Sequence, residues 1–413
     1  MTWKNWIGIA ASALVLSGCG GGGGGAPEPN KVTVETDAIG AAYYDRETAT
    51  WKKFDGKEEN IGGEMFRYTL DLQGDYDIAL SCTTNGKKVY LFSLNQKSDN
   101  YIRVGCTSEG LGRVDLSGNI TNNTSETASG YVVAVNREWN IFVNNPYELN
   151  ASTGLNDLVA VMFVSDGNNN VPKRFWIERD LEFDPVGDTY NIDFTNDNSY
   201  LIESHGFTNV NGTKGWLGLI TPNGTYFTSV LGDRWYYPQG GLSKEDTYVM
   251  VAEDDTKNTK RIDAYRATKM PRKDLTAEAG YIESLDGYIH YNTTGDGAAE
   301  LDGMSLYVPA TAASEKLRGF LFYLRDDTND REYYIMASKD RVVNGLQTPD
   351  LSAVEGFATA WRGNNADEVY ATAVMSNVSF STMMRTGRML HLKKLDTFLV
   401  PGATIELAED KVK

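Results

Sequence analysis

Alternation of apolar and polar residues, punctuated every few positions by turn-forming pairs, is the feature that most restricts what this chain can fold into. From Lys31 onward a period of two dominates, and hardly a stretch keeps helical period over three turns. Representative strands are Gly40-Ala41-Ala42-Tyr43-Tyr44, Met65-Phe66-Arg67-Tyr68-Thr69-Leu70, Tyr76-Asp77-Ile78-Ala79-Leu80 and Lys88-Val89-Tyr90-Leu91-Phe92. Pairs that accept positive φ cheaply, as tight hairpins require, recur at Asp55-Gly56, Asn85-Gly86, Asn211-Gly212, Asn223-Gly224, Asp286-Gly287 and Asp302-Gly303. The clearest hairpin runs from Trp216 to Ile220, turns at Thr221-Pro222-Asn223-Gly224 and returns from Thr225 to Val230. Helix is expected only as single turns near Pro349 to Val354 and Leu275 to Ala279. The chain therefore reads as all-β, a tandem series of β-sandwich domains.

With 413 residues, 41% of them hydrophobic, there is chain enough for several domains that each bury a core. Strand runs end in polar, Gly- or Asn-rich stretches at Thr107 to Gly112 and Asp193 to Ser199, with a weaker break near Pro271 to Gly280. The expected units are 31–110, 111–195, 196–279 and a larger 280–413. The net charge of -17 argues against nucleic acid, whose binding draws on Lys/Arg contacts that release counterions.

Residues 1–18 carry Lys4, an apolar run from Trp6 to Leu16, and then Leu16-Ser17-Gly18-Cys19. The run is too short for a bilayer core, which needs about 20 residues, so it reads as a signal peptide. Leu16-Ser17-Gly18-Cys19 resembles the lipobox of bacterial lipoproteins. The resemblance implies cleavage before Cys19 and acylation of that residue with three fatty chains, palmitate among them, more than the two that suffice for stable anchoring. Gly20, where retained inner-membrane lipoproteins of enteric bacteria typically carry Asp, favours the outer membrane, with the periplasmic and surface faces both open. Residues 19–30 hold Gly20 to Gly25 and Ala26-Pro27-Glu28-Pro29, a flexible tether with a stiffer exit.

Within the second unit, an opening strand around Leu116-Ser117-Gly118-Asn119-Ile120 precedes Gly130 to Val135, Tyr147-Glu148-Leu149 and Leu158 to Phe163. In that order of features the unit resembles the carboxypeptidase-regulatory or transthyretin-like sandwich. Tyr76 to Cys82, Thr348 to Phe357 and Trp361 add a resemblance to all-β outer-membrane lipoproteins of bacteria in which such a unit is followed by further β-rich regions. That group implies fold and location and brings no activity with it.

Cys82 and Cys106 each end a strand, and beyond the signal peptidase the compartment is oxidising, so a disulfide is the natural reading, with two buried thiols as its rival. No CxxC is present, and His205, His290 and His391 lie far from either Cys, so no metal site is expected. Glu178, Asp180, Glu182 and Asp184 alternate with Ile177, Leu181 and Phe183. A regular strand would set all four carboxylates on one face at about 6.6 Å spacing, either as a solvated face or as an acid–base pair or Ca²⁺ ledge. Asp326 to Asp330 and Asp193 to Asn198 lack the spacing that wraps one Ca²⁺ and read as solvated turns. Met383 to Lys394 is the basic stretch of an acidic chain, read as a strand with charged edges or as a surface for lipopolysaccharide phosphates. Trp235, Tyr236 and Tyr237, followed by Pro238-Gln239-Gly240-Gly241, form the candidate ligand surface, with the plugging of a sandwich end as the competing reading.

The sequence has no GxSxG elbow, HExxH, GxxxxGK[ST] or compact His/Asp/Ser grouping. The expected role is non-catalytic binding or scaffolding in the cell envelope, with no cofactor, no nucleic acid, the membrane as partner through the lipid anchor, and an envelope protein or glycan as a further partner. The alternatives are a surface adhesin or glycan-binding lipoprotein, and a carboxylate-dependent glycan hydrolase.

Overall fold

A computed structural model describes residues 31–411, except 55–56, 63–64, 85, 107–112, 136–137, 143–144, 153, 168, 184–186, 207–213, 229–233, 255–258, 267–289, 292–297, 303, 308–316, 358–365, 386–401. The protein is all-β: strands dominate, and the two helices among the described residues, Lys339–Val343 and Phe380–Arg385, are single short turns of chain. The helix expected near Pro349 to Val354 is instead a series of turns, and residues 275–279 lie outside the described residues.

The largest element is a sheet of twelve strands. Its order is Gly224–Thr228, Lys214–Thr221, Thr247–Asp254, Thr259–Arg266, Thr404–Lys411, Glu368–Ser376, Leu317–Asp326, Arg331–Ser338, Lys88–Asn95, Asp75–Ser81, Gly40–Asp45 and Thr50–Lys53. The expected hairpin is present at one edge, Lys214–Thr221 returning as Gly224–Thr228 through Pro222-Asn223. Pairing is antiparallel except between the eighth and ninth strands of this order, where Arg331–Ser338 runs parallel to Lys88–Asn95 with Ile335 opposite Leu91. One sheet thus draws strands from the 31–110, 196–279 and 280–413 segments.

Both faces of this sheet are buried, and the side-chain alternation shows how. Tyr76, Ile78 and Leu80 with Phe92 and Leu94 point to one face, where Val32, Val34, Leu70, Ile102 and Val104 of a second sheet meet them. That second sheet has four strands in the order Lys57–Gly62, Met65–Asp71, Lys31–Thr36, Tyr101–Val104. Ala79, Val89 and Leu91 with Phe320, Phe322, Tyr333 and Ile335 point to the other face, covered by Val342, Leu346 and Leu351. At about 1.5–3 kcal/mol for each large side chain removed from water, these two layers carry most of the drive to fold.

Residues 113–194 hold a separate core. The three-stranded sheet Tyr147–Ser152, Arg113–Gly118, Asp188–Thr189 faces the six-stranded sheet Glu138–Phe142, Ala128–Val135, Gly154–Ser165, Asn170–Phe183, Ser199–Gly206, Arg234–Pro238. Val114, Leu116, Val133, Tyr147, Leu158, Ala160, Trp176 and Phe194 fill the space between. The Tyr147 hydroxyl donates to the Tyr190 carbonyl at 2.6 Å, and a Cβ at Gly118 would lie 1.9 Å from that same oxygen, so only glycine fits there. The opposite face of the six-stranded sheet docks through Val132, Val159, Val161 and Phe175 onto Leu219 and Tyr248 of the long sheet.

A candidate ligand-binding cleft

The free edge of the long sheet ends in a hairpin, Gly40–Asp45 returning as Thr50–Lys53, in which Tyr44 stands opposite Trp51. Asp45 builds the turn: its carboxylate accepts from the Glu47 backbone N–H at 2.9 Å, from the Thr48 hydroxyl at 2.8 Å and from Lys52. Lys52, then the Thr48 hydroxyl, hold the Asp45 carboxyl below the usual carboxylate range. The Tyr44 and Trp51 rings sit 5.7 Å apart at 56°, two aromatic walls at an open angle. Trp51 packs against the core on that side of the sheet, which fixes its ring.

Next to this hairpin the same face of the sheet turns polar. Asp77 and Ser93 are cross-strand partners, and Arg341, carried by the helix Lys339–Val343, reaches down between them. Arg341 Nη2 donates to Asp77 Oδ1 at 2.7 Å and Oδ2 at 2.9 Å, Arg341 Nε donates to Ser93 Oγ at 2.7 Å, and Ser93 Oγ donates to Asp77 Oδ1 at 2.6 Å. A guanidinium locked in this way keeps its plane, unlike a Lys ammonium on a mobile stem. Beyond it the chain from Asn344 to Asp350 forms the facing wall. That wall is clasped from behind by Asp302, which accepts the Thr348 N–H at 2.7 Å and gives its own N–H to the Leu346 carbonyl at 2.9 Å. Between hairpin, ion pair and wall lies a cleft of about 470 Å³ whose lining includes Tyr44, Trp51, Asp77, Leu91, Arg341 and Asp350. That volume lies within the range of about 300–1,000 Å³ in which proteins hold small ligands.

The residues singled out in the sequence fall elsewhere. Cys19 lies outside the described residues. Cys82 and Cys106 are disulfide-bonded, with Cα atoms 5.0 Å apart, joining the end of Asp75–Ser81 in the long sheet to the chain leaving Tyr101–Val104 in the four-stranded one. Trp235, Tyr236 and Tyr237 belong to the strand Arg234–Pro238 and pair with His205, Ser204 and Glu203; they do not form an open loop. Tyr236 is 7% exposed, and Tyr237 packs beside Leu242 in the docking core while donating its hydroxyl to Glu203 Oε2 at 2.7 Å. The Trp235 side chain lies outside the described residues. Gly240 and Gly241 take the ring of Tyr200, which added Cβ atoms would meet at 2.4 and 2.7 Å.

The four carboxylates do not share a face. Glu178 stands opposite Leu158 and Glu182 opposite Leu155, and because those two leucines are three positions apart on one strand, their partners point to opposite sides of the sheet. The cause is a bulge, with Arg179 and Asp180 both set against Asp157 and Asp180 at φ 56°. Asp157 accepts the Asp180 N–H at 3.0 Å, and the Asn223 side chain donates to Asp180 Oδ1 at 2.8 Å, so this carboxylate strand makes a docking contact with the hairpin 214–228. Asp184 lies outside the described residues.

Asp326 closes its own turn, accepting the Asn329 backbone N–H at 3.0 Å, and the Asn198 side chain likewise ties back to the Asp193 carbonyl at 2.8 Å. Of the basic stretch, Met383 is buried in the core and residues 386–394 lie outside the described residues. Among the described residues no three His, Cys, Asp or Glu side chains are arranged to hold a metal, and no helix is long and apolar enough to cross a membrane.

No family model and no curated protein matches the chain. Among solved structures it is similar to a leucine-rich repeat protein from Bacteroides thetaiotaomicron, at 11% identity and a TM-score of 0.14, over 40% of this chain and 26% of that one. The likeness spans about a quarter of that protein's length.

Proposed function

We propose that this chain is a lipid-anchored outer-membrane lipoprotein that binds a ligand in the cell envelope without transforming it. The observation that carries the reading is Leu16-Ser17-Gly18-Cys19 set directly behind an apolar run and ahead of six glycines, an acylation site with a flexible leash. Behind that leash, residues 111–195 are read as the carboxypeptidase-regulatory-like sandwich, and the long sheet carries the cleft. A binding role is supported by the fixed walls of the cleft, and a non-catalytic one by the state of its carboxylate. Asp77 already accepts three bonds from Arg341 and Ser93 and so is not held as a free base.

Intact-mass measurement and membrane fractionation test the anchor. The native protein is expected to begin at Cys19 carrying three acyl chains and to sediment with membranes, while Cys19→Ala protein is expected in the soluble fraction. An unmodified mature start, or Cys19→Ala protein still wholly membrane-bound, would overturn the proposal.

A further inference from the structure

We infer that the cleft between Trp51 and Arg341 takes one uncharged sugar ring of a glycan. The assignment rests on the binding role proposed above and names the ligand class of that site. Three properties of the lining point to it. Tyr44 and Trp51 present fixed aromatic surface at an open angle, the kind of wall on which the apolar C–H face of a pyranose stacks. Beside them the polar groups are of unlike kind: Arg341 can only donate, whereas Asp350 can only accept. Ring hydroxyls donate and accept from neighbouring atoms, so a single sugar edge answers both. Arg341 Nη1 approaches only Asp75 Oδ2, at 3.8 Å, among the described residues, which leaves it the donor best placed to meet a ligand.

Charge argues for a neutral ring. Asp77 matches the guanidinium of Arg341 and also meets Arg46 Nη2 at 3.4 Å, so the lining holds no surplus cation for an anion to pair with, and a carboxylate- or phosphate-bearing ligand would approach a chain of net charge -17. The cleft opens at the sheet edge. A longer glycan can therefore enter with one residue while the rest runs past exposed Gln347 into water. The Trp235 strand is a different part of the molecule, bound into the six-stranded sheet, and takes no part in this site.

The test is isothermal titration of the full lipidated protein in detergent micelles with neutral mono- to tetrasaccharides of glucose, galactose, mannose and N-acetylglucosamine. Glucuronate and sialic acid serve as charged counterparts, and a glutamine-rich peptide as a planar-amide competitor. At least one neutral series is expected to bind, its acidic counterpart at least tenfold more weakly. Trp51→Ala and Arg341→Lys are each expected to lower affinity at least tenfold. Gln347→Trp, a rim change that leaves the core intact, is expected to block the mouth and abolish binding, which keeps the test decisive even where Trp51→Ala disturbs folding. Binding of the peptide or of the acidic sugars with no neutral glycan bound would overturn the assignment, as would neutral-glycan binding unchanged in Gln347→Trp. A protein that binds neutral glycans but lacks acyl chains would uphold this site while overturning the anchor.

Discussion

Arg179 is the residue whose removal should cost most for a single change on the surface between the two bodies of the molecule. Its Nη1 and Nη2 meet Asp246 Oδ1 and Oδ2 at 3.0 and 2.7 Å, Nη2 also donates to the Gly241 carbonyl at 2.8 Å, and Asp157 Oδ2 lies 3.8 Å away. Asp246 is 0% exposed and Asp157 1% exposed, so Arg179→Met leaves two buried carboxylates without a cation. Breaking a buried pair by deleting one partner costs about 3–5 kcal/mol. The Ser243 N–H at 2.7 Å still serves Asp246, and Arg179 itself keeps a quarter of its side chain in water, which places the expected loss at the lower end, about 3 kcal/mol. Urea unfolding followed by far-UV circular dichroism at neutral pH measures it. Pairing Arg179→Met with Asp246→Asn removes the stranded charge, so the double variant should recover about 1.5 kcal/mol or more relative to the sum of the singles. A single-variant loss under about 1 kcal/mol, or strictly additive singles, would refute the claim that this pair is buried and coupled.

Reducing the Cys82–Cys106 bond, or replacing both residues by Ser, should lower stability by about 3.5 kcal/mol, the loop entropy for a sequence separation of 24. Urea midpoints with and without dithiothreitol that agree within error would count against it. Gly118→Ala should lower the melting temperature sharply, since the new Cβ falls 1.9 Å from the Tyr190 carbonyl oxygen and the sandwich must shift by backbone movement; a melting curve matching the parent would show that the approach is looser than described. Glu126 accepts both Nε and Nη2 of Arg174 at 3.0 Å, and that pairing holds its carboxyl below the usual range. Because the folded-state pKa is the lower one, this stabilisation is present above the unfolded-chain value and is lost as pH falls through the folded-state value. Glu126→Gln should therefore flatten the acid limb of the stability profile, and an unchanged limb would remove the pairing from the account.

Strand existence was legible wherever the signal was local. The hairpin at Thr221 to Gly224 and the strands at Gly40, Met65, Asp75 and Lys88 follow from alternation and turn chemistry within a few residues. Pairing was not legible. Asp55-Gly56 has the chemistry of a hairpin turn, yet the strands on either side of it, Thr50–Lys53 and Lys57–Gly62, lie in different sheets. Lys88–Asn95 finds its parallel neighbour in Arg331–Ser338, a choice made by the burial of Leu91 beside Ile335, which no local pattern encodes. The carboxylate strand misled because alternation in sequence equals alternation in space only while the ladder is regular, and the Arg179–Asp180 bulge shifts the parity. Half of the cleft was readable in principle, as Tyr44 and Trp51 face one another across a turn closed by Asp45. Its other half, Arg341, arrives from 264 residues beyond Asp77 and carries no mark of its own.

The parallel seam inside the long sheet bears on how the molecule comes into being. Synthesis delivers Val89-Tyr90-Leu91-Phe92 early, and the segment that covers their open flank emerges some 240 residues later. For that interval an apolar ribbon with unsatisfied amides stands ready to recruit any neighbouring polypeptide. Maturation of this protein is therefore expected to be slow and to need a holding chaperone, whose depletion should appear as inclusion bodies before any change in the finished molecule's resistance to heat.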